Sequence, residues 1–381
     1  MRPQPATIRL FIQVVLFLLT ILTTTLAGAE WIEGKSFWFS SGAMGWDEFI
    51  AGFYFSIPFL GFLTTHEFGH FFMAKAKRIK VTLPYYIPFY IGILTSIGTL
   101  GAFIRIKSKR MSRKDYFDVG YAGPLAGFVV AVSVLLWGFT HLPTWEYVMQ
   151  IHPEYIPFGP HYGEFVYTQK DASEFVRLGD NLLFYLLRTY LADPALMPHP
   201  NEVIHYPFLL AGYLGLFFTA LNLIPIGQLD GGHILYGLIG KKAFDIVSPL
   251  FFVSLVFYSG LGLFSIEEFM TIADEEYLGL VGQFILYVYF IYLSFSRITS
   301  FPITNLLITL IVVISQVILN YFLPNWEGYS GFLAFAFLLG RVMGIYHPST
   351  TNDQPLGLGR QIIGWLSLGI FVLCFSPNPL Y

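Results

Sequence analysis

Apolar residues along this chain of 381 residues fall in long unbroken runs, at 9–28, 48–74, 118–140, 206–239, 244–264, 277–296, 300–323, 331–346 and 361–376. About 20 apolar residues in helical form cross the hydrocarbon core of a bilayer. The pattern therefore predicts an all-α polytopic membrane protein of about nine transmembrane helices. The run at 206–239 is too long for one straight span. Pro225 and the Gly231–Gly232 pair predict a break or unwinding within it.

Composition points the same way. The chain is 55% hydrophobic and only 12% charged, where soluble domains carry about 25% charged residues. Mean hydropathy is +0.62. The lipid bilayer is thus the first expected partner. A net charge of −3 and the lack of any basic recognition module argue for no nucleic acid partner. Cys374 is the sole cysteine, which excludes an intrachain disulfide and a Cys-type zinc site.

Charge along the loops sets the orientation, because Lys- and Arg-rich loops stay cytoplasmic. With the N-terminus inside and 81–106 treated as non-spanning, 17 of the 21 basic residues fall inside. Only Lys35, Lys170, Arg177 and Arg188 fall outside. The expected setting is an integral multi-pass membrane protein, in a cell membrane of bacterial type, with a cytoplasmic N-terminus. Arg2 and Arg9 precede the first run, and Ala27-Gly28-Ala29 resembles a signal-peptidase site. The run exceeds the usual length of a signal h-region, so an uncleaved helix is expected.

The stretch VTLPYYIPFYIGILTSIGTLGAFIRI at 81–106 is apolar enough to pass for a span. Basic clusters flank it on both sides, and a crossing would strand one of them outside. Pro84, Pro88, Gly92, Gly98 and Gly101 also disfavour a regular helix. A re-entrant segment returning to the cytoplasmic side is expected, its irregular backbone covered by protein. The chain then divides into an N-terminal helix and outer loop (1–47), a membrane core (48–240) and additional transmembrane helices (241–381). Within the core, 141–205 forms an outer loop.

Chemistry enters with FLTTHEFGHFF at 62–72, where His66, Glu67 and His70 interrupt an apolar run. Ionisable groups at membrane depth are costly, and their retention points to function. Residues four apart share a helix face, so His66 and His70 can offer two imidazoles to one metal ion. Glu67 is placed to accept a proton from water beside that ion. A catalytic zinc needs a third protein ligand and an open position. Asp230 is the only acidic residue between Tyr206 and Gly240, in NLIPIGQLDGGH near the cytoplasmic end of its run. His233 is the rival ligand in that stretch. Asn222, eight residues before Asp230, is an amide suited either to a helix backbone bond or to a developing oxyanion.

HEFGH followed by NLIPIGQLDGG resembles the site-2 protease family of intramembrane zinc metalloproteases. That family pairs H-E-x-x-H on one span with N-x-x-P-x-x-x-L-D-G on a later one. GYAGPLAG at 120–127 is similar to the family's Gly-Pro motif, and GTLGAFIRIKS resembles its re-entrant β-hairpin. The resemblance covers about 48–240 and implies one Zn2+ per chain held by His66, His70 and Asp230. It also implies Glu67 as catalytic acid and base, Asn222 near the oxyanion, and cleavage within or next to a transmembrane segment of membrane-protein substrates. The site would lie near the cytoplasmic face. Some members carry Asn shortly after the Gly-Pro, where Gly127 stands here. Many bacterial members carry a PDZ domain where this chain has its 141–205 loop. Two rival readings remain at the level of residues: a polytopic metal-ion carrier lined by His66, Glu67, His70, Asp230 and His233, and a membrane zinc protease with a glutamate third ligand.

Overall fold

In hydrocarbon a backbone must satisfy its own N–H and C=O groups, so long apolar runs fold as helices. The computed structural model describes residues 5–37, 44–92, 96–108, 111–168 and 176–381. Arg2, Lys109, Arg110 and Lys170 of the charge count lie outside the described residues. The apolar helices are α1 (Ala6–Glu33), α2 (Phe53–Ala76), α3 (Arg113–Thr140), α4 (Pro207–Leu223), α5 (Asp230–Ser259), α6 (Asp274–Phe295), α7 (Pro302–Phe322), α8 (Gly331–Met343) and α9 (Leu358–Cys374). Among the described residues six are long and apolar enough to cross a membrane: α1, α2 with the short helix before it, α3, α5, α6 and α7. Helices α4, α8 and α9 are apolar but shorter. This is a multi-pass membrane protein.

The chain forms two units. The first comprises Met1–Arg110, Asp118–Asn222 and Ser367–Tyr381; the second comprises Met111–Phe117 and Leu223–Leu366. In the first, α1 and α2 approach through small residues, as membrane helices do where no water drives association. A Cβ on Gly52 would overlap the Thr25 carbonyl, and Thr25 Oγ1 lies 2.9 Å from Ser56 Oγ. Phe55, Phe59 and Phe62 of α2 are buried in one apolar cluster with Leu135, Leu209, Tyr213 and Leu216.

Residues 81–106 contain a hairpin: β1 (Tyr85–Pro88) pairs antiparallel with β2 (Thr99–Phe103). Pairing continues to the base, where Thr82 N–H donates to Arg105 O (3.1 Å) and Lys107 N–H to Lys80 O (2.7 Å). The two ends of the segment are therefore paired with each other, and Pro84, Pro88, Gly92, Gly98 and Gly101 fall in a stretch that forms no regular helix among the described residues. Its far end is pinned on α1, with Thr23 Oγ1 donating to Gly98 O at 2.7 Å. Gly98 sits at φ +81°, and a Cβ there would overlap the α1 backbone at Thr24. Both the dihedral and the close approach require glycine.

The second unit departs from the expected run at 206–239. The helix stops at Leu223, a turn occupies 224–229, and a new helix starts at Asp230 and continues to Ser259. Pro225, which has no N–H to donate, and Gly227 at φ +56° account for the turn. Gly231 and Gly232 do not break the chain. They open α5 and let the carbonyls of Leu223 and Gly227 pass where a Cβ would stand. The boundary expected at 240–243 falls at Gly240, whose non-helical backbone (φ 74°, ψ 173°) kinks α5 and separates two helical stretches. Arg113 holds it by donating from Nε and Nη2 to Gly237 O at 3.0 and 2.9 Å. The turn itself is braced from the C-terminal part of the chain. Ser248 Oγ accepts from Gly227 N–H (2.9 Å) and donates to Ile345 O (2.6 Å), and Gln228 Nε2 donates to Met343 O (2.8 Å).

Candidate metal centre

Helix α2 carries His66, Glu67 and His70, which are 2%, 5% and 7% exposed. One helical turn separates the two imidazoles, and their Nε2 atoms lie 3.1 Å apart. Val119 O of α3 accepts from His70 Nδ1 at 2.8 Å. A carbonyl can only accept, so Nδ1 bears the proton and Nε2 keeps its lone pair, directed at His66. Metal-ligating histidines characteristically donate their second ring nitrogen in this way.

The fit to a divalent ion can be tested by distance. Two nitrogens at about 2.0–2.1 Å from a tetrahedral zinc are about 3.4 Å apart. The observed 3.1 Å is within a few tenths of that separation. At this spacing the two nitrogens either share one hydrogen, with His66 Nε2 donating to His70 Nε2, or turn both lone pairs to one ion.

Three features of α3 hold the pair in place. Gly123 lies against the His70 ring, where a Cβ would overlap Nε2. Gly127 lies against His66, with a built Cβ 3.1 Å from the His66 Cβ. Lys77, just beyond α2, forms an ion pair with the buried Asp118, one residue before the carbonyl that receives His70. The sequence marked GYAGPLAG as a motif but assigned no task to its glycines. Small residues four apart in an apolar helix are the signal that could have shown a close helix approach.

The other expected site residues lie on separate elements. Asn222 is half-buried, one residue before the end of α4 in the first unit. Asp230 is half-buried at the first position of α5 in the second unit, where the helix dipole favours a carboxylate. His233, the rival ligand, has a partner within its own unit. Its Nδ1 lies 2.9 Å from His347 Nε2, while His347 Nδ1 donates to Pro348 O at 2.7 Å. Burial, only partly offset by that carbonyl, pushes His347 down to about 4 and keeps it neutral.

A family model described as Peptidase family M50 matches residues 54–264, more than half of the chain. The chain belongs to Peptidase family M50, the site-2 protease family. It is similar to "Probable zinc metalloprotease EGY1, chloroplastic" of Oryza sativa subsp. japonica, 33% identical over 204 residues, which are 52% of this chain and 29% of that protein. The protein of the same name in Arabidopsis thaliana is 32% identical over 191 residues, 48% of this chain and 29% of the relative. "Probable zinc metalloprotease EGY2, chloroplastic" of Oryza sativa subsp. indica is 29% identical over 199 residues, 52% and 31%. The match thus spans less than a third of each of these relatives. No solved structure matches the chain.

Proposed function

We propose that this chain is an intramembrane zinc metalloprotease that hydrolyses a peptide bond within or next to a transmembrane segment of membrane-protein substrates, in regulated intramembrane proteolysis. The main support is the buried imidazole pair on α2, 3.1 Å apart, in a member of Peptidase family M50. The metal-carrier reading is not favoured by that membership.

In this reading one catalytic zinc per chain is held by His66, His70 and Asp230, the last on the strength of its sequence motif. Bound zinc supplies Lewis-acid polarisation of water and of the scissile carbonyl. Glu67 accepts the proton of the attacking water and passes it to the leaving amine. Asn222 donates its amide N–H to the developing oxyanion. A transmembrane helix hides its peptide bonds, so cleavage requires a locally extended substrate. β2 offers a place for one: it pairs with β1 on one edge only among the described residues, and Leu100 and Phe103 are exposed. An unwound segment can add there as a strand.

The membrane arrangement belongs to the same proposal. About nine spans, counting α4, α8 and α9, leave the N-terminus cytoplasmic. Residues 81–106 re-enter from the cytoplasmic side, and the site lies near that face. The catalytic core is 48–240, and 241–381 supplies additional transmembrane helices. The proposed setting is a cell membrane of bacterial type, although the names of the relatives place those proteins in chloroplasts. Incubating purified protein with a single-span substrate tests the reaction. Cleavage by wild type that is lost in Glu67→Gln supports the proposal; uncleaved substrate together with metal flux in liposomes would replace it with the carrier.

A further inference from the structure

A second group of ligand atoms lies in the first unit, in the loop 141–205, and shares no residue with the pair on α2. His152 ends the short helix Glu146–Ile151, and Glu202 and His205 lie on the 3₁₀ helix Pro200–His205. Side chains at i and i+3 eclipse on a 3₁₀ helix, which stacks Glu202 and His205 on one side. His152 Nε2 and His205 Nε2 are 3.5 Å apart, and Glu202 Oε2 lies 3.8 Å from the first and 3.6 Å from the second. Glu202 and His205 are 1% and 4% exposed, while His152 is partly open to solvent.

The protons around this triangle are assigned by its neighbours. His205 Nδ1 lies 2.9 and 2.8 Å from the carbonyls of Trp31 and Ile32, in the last turn of α1, and so bears hydrogen. His152 Nδ1 lies 2.9 Å from the Glu154 carboxylate and bears hydrogen as well. Both imidazoles therefore turn an Nε2 lone pair inward. The third corner is a carboxylate whose Oε1 accepts from Tyr167 Oη. Its Oε2 is fully buried and within hydrogen-bond reach of nothing. Three acceptors facing one another in a buried place, with one an anion, are held together by positive charge at the centre, supplied by a proton on an imidazole or by a metal ion.

Distance selects the kind of cation. The point equidistant from the three atoms lies about 2.1 Å from each, the bond length of zinc to imidazole nitrogen and carboxylate oxygen. Calcium takes six or more oxygens at 2.3–2.6 Å, and magnesium keeps its waters. Two imidazoles with one carboxylate suit a divalent transition ion of the zinc class. The outer partners, two backbone carbonyls, a second carboxylate and a tyrosine, are of the kind that orient metal ligands.

We propose that His152, Glu202 and His205 bind a second zinc-class ion, distinct from the one at His66 and His70. Its ligands are up to 53 positions apart in sequence, and His205 is bonded to the end of α1. The ion therefore closes the 141–205 loop and ties it to the first helix. The proposal does not depend on the protease reading.

Metal content of the full-length protein, purified in detergent and equilibrated with buffered zinc, tests it by atomic emission. Wild type should hold about two zinc ions per chain, His66→Ala/His70→Ala about one, and the same variant with His152→Ala almost none. His152 is the most exposed ligand, so its loss should spare the helical content, followed by circular dichroism. A titration of chelated wild type needs no substitution and should show two equivalents. If wild type held one ion and His66→Ala/His70→Ala held none, the second site would be refuted. Two ions retained in His152→Ala and in Glu202→Gln would also refute it. Should the site on α2 hold no metal, wild type and His66→Ala/His70→Ala would bind one ion alike, and His152→Ala would still remove it.

Discussion

Gly123 of α3 lies directly against the imidazole of His70, in the space a Cβ would need beside Nε2. An exposed helical Gly→Ala substitution usually stabilises, by up to about 1 kcal/mol. Here the added methyl must displace the ring or part α3 from α2. Gly123→Ala is expected to lower proteolysis at least about tenfold and to weaken zinc retention at the α2 site, an effect of the size seen when a supporting neighbour of a metal ligand is lost. Gly61, on α2 with nothing within 4 Å of a built Cβ, is the control, and Gly61→Ala should leave both unchanged. Equal behaviour of the two variants would remove Gly123 from the account.

Lys80 and Lys107 meet at the base of the hairpin, with a 2.7 Å backbone bond. Lys77 and Lys107 should consequently report the same side of the membrane. Single cysteines at these two positions in a Cys374→Ser background should react alike with an impermeant thiol reagent, and only after the cytoplasmic face is opened. Labelling of one from outside would make 81–106 a crossing segment.

Two parts of the fold differ in how far the chain itself announces them. The imidazole pair was legible because its members are four residues apart and depend on nothing but helical geometry. The hairpin was legible because prolines, glycines and flanking charge all oppose a spanning helix. The part played by Gly123 was not, since what a glycine admits depends on which backbone or ring approaches it. Nor was the bracing of 224–229 by Ser248, Met343 and Ile345, which joins residues about a hundred positions apart. The His152, Glu202 and His205 cluster escaped for the same reason: its ligands converge only after the outer loop has folded.

Asp230 and His233 compete as third ligand, and zinc content separates them. Asp230→Ala should lose the equivalent of zinc assigned to the α2 site, together with proteolysis. His233→Ala should keep that ion, because His233 already has His347 as its partner at 2.9 Å. Retention of the ion in Asp230→Ala with loss in His233→Ala would reverse the assignment.

The central claim is that Glu67 moves protons while the histidines on either side of it hold metal. Gln is nearly isosteric with Glu and cannot accept the water proton. Loss of a general base typically lowers the rate by about 10²–10⁴-fold. The most direct measurement is therefore cleavage of a single-span substrate by Glu67→Gln beside wild type, with zinc determined in the same samples. The variant should be folded, should carry as much zinc as wild type and should be slower by about that factor. Wild-type cleavage by Glu67→Gln, or zinc lost from it, would contradict the account.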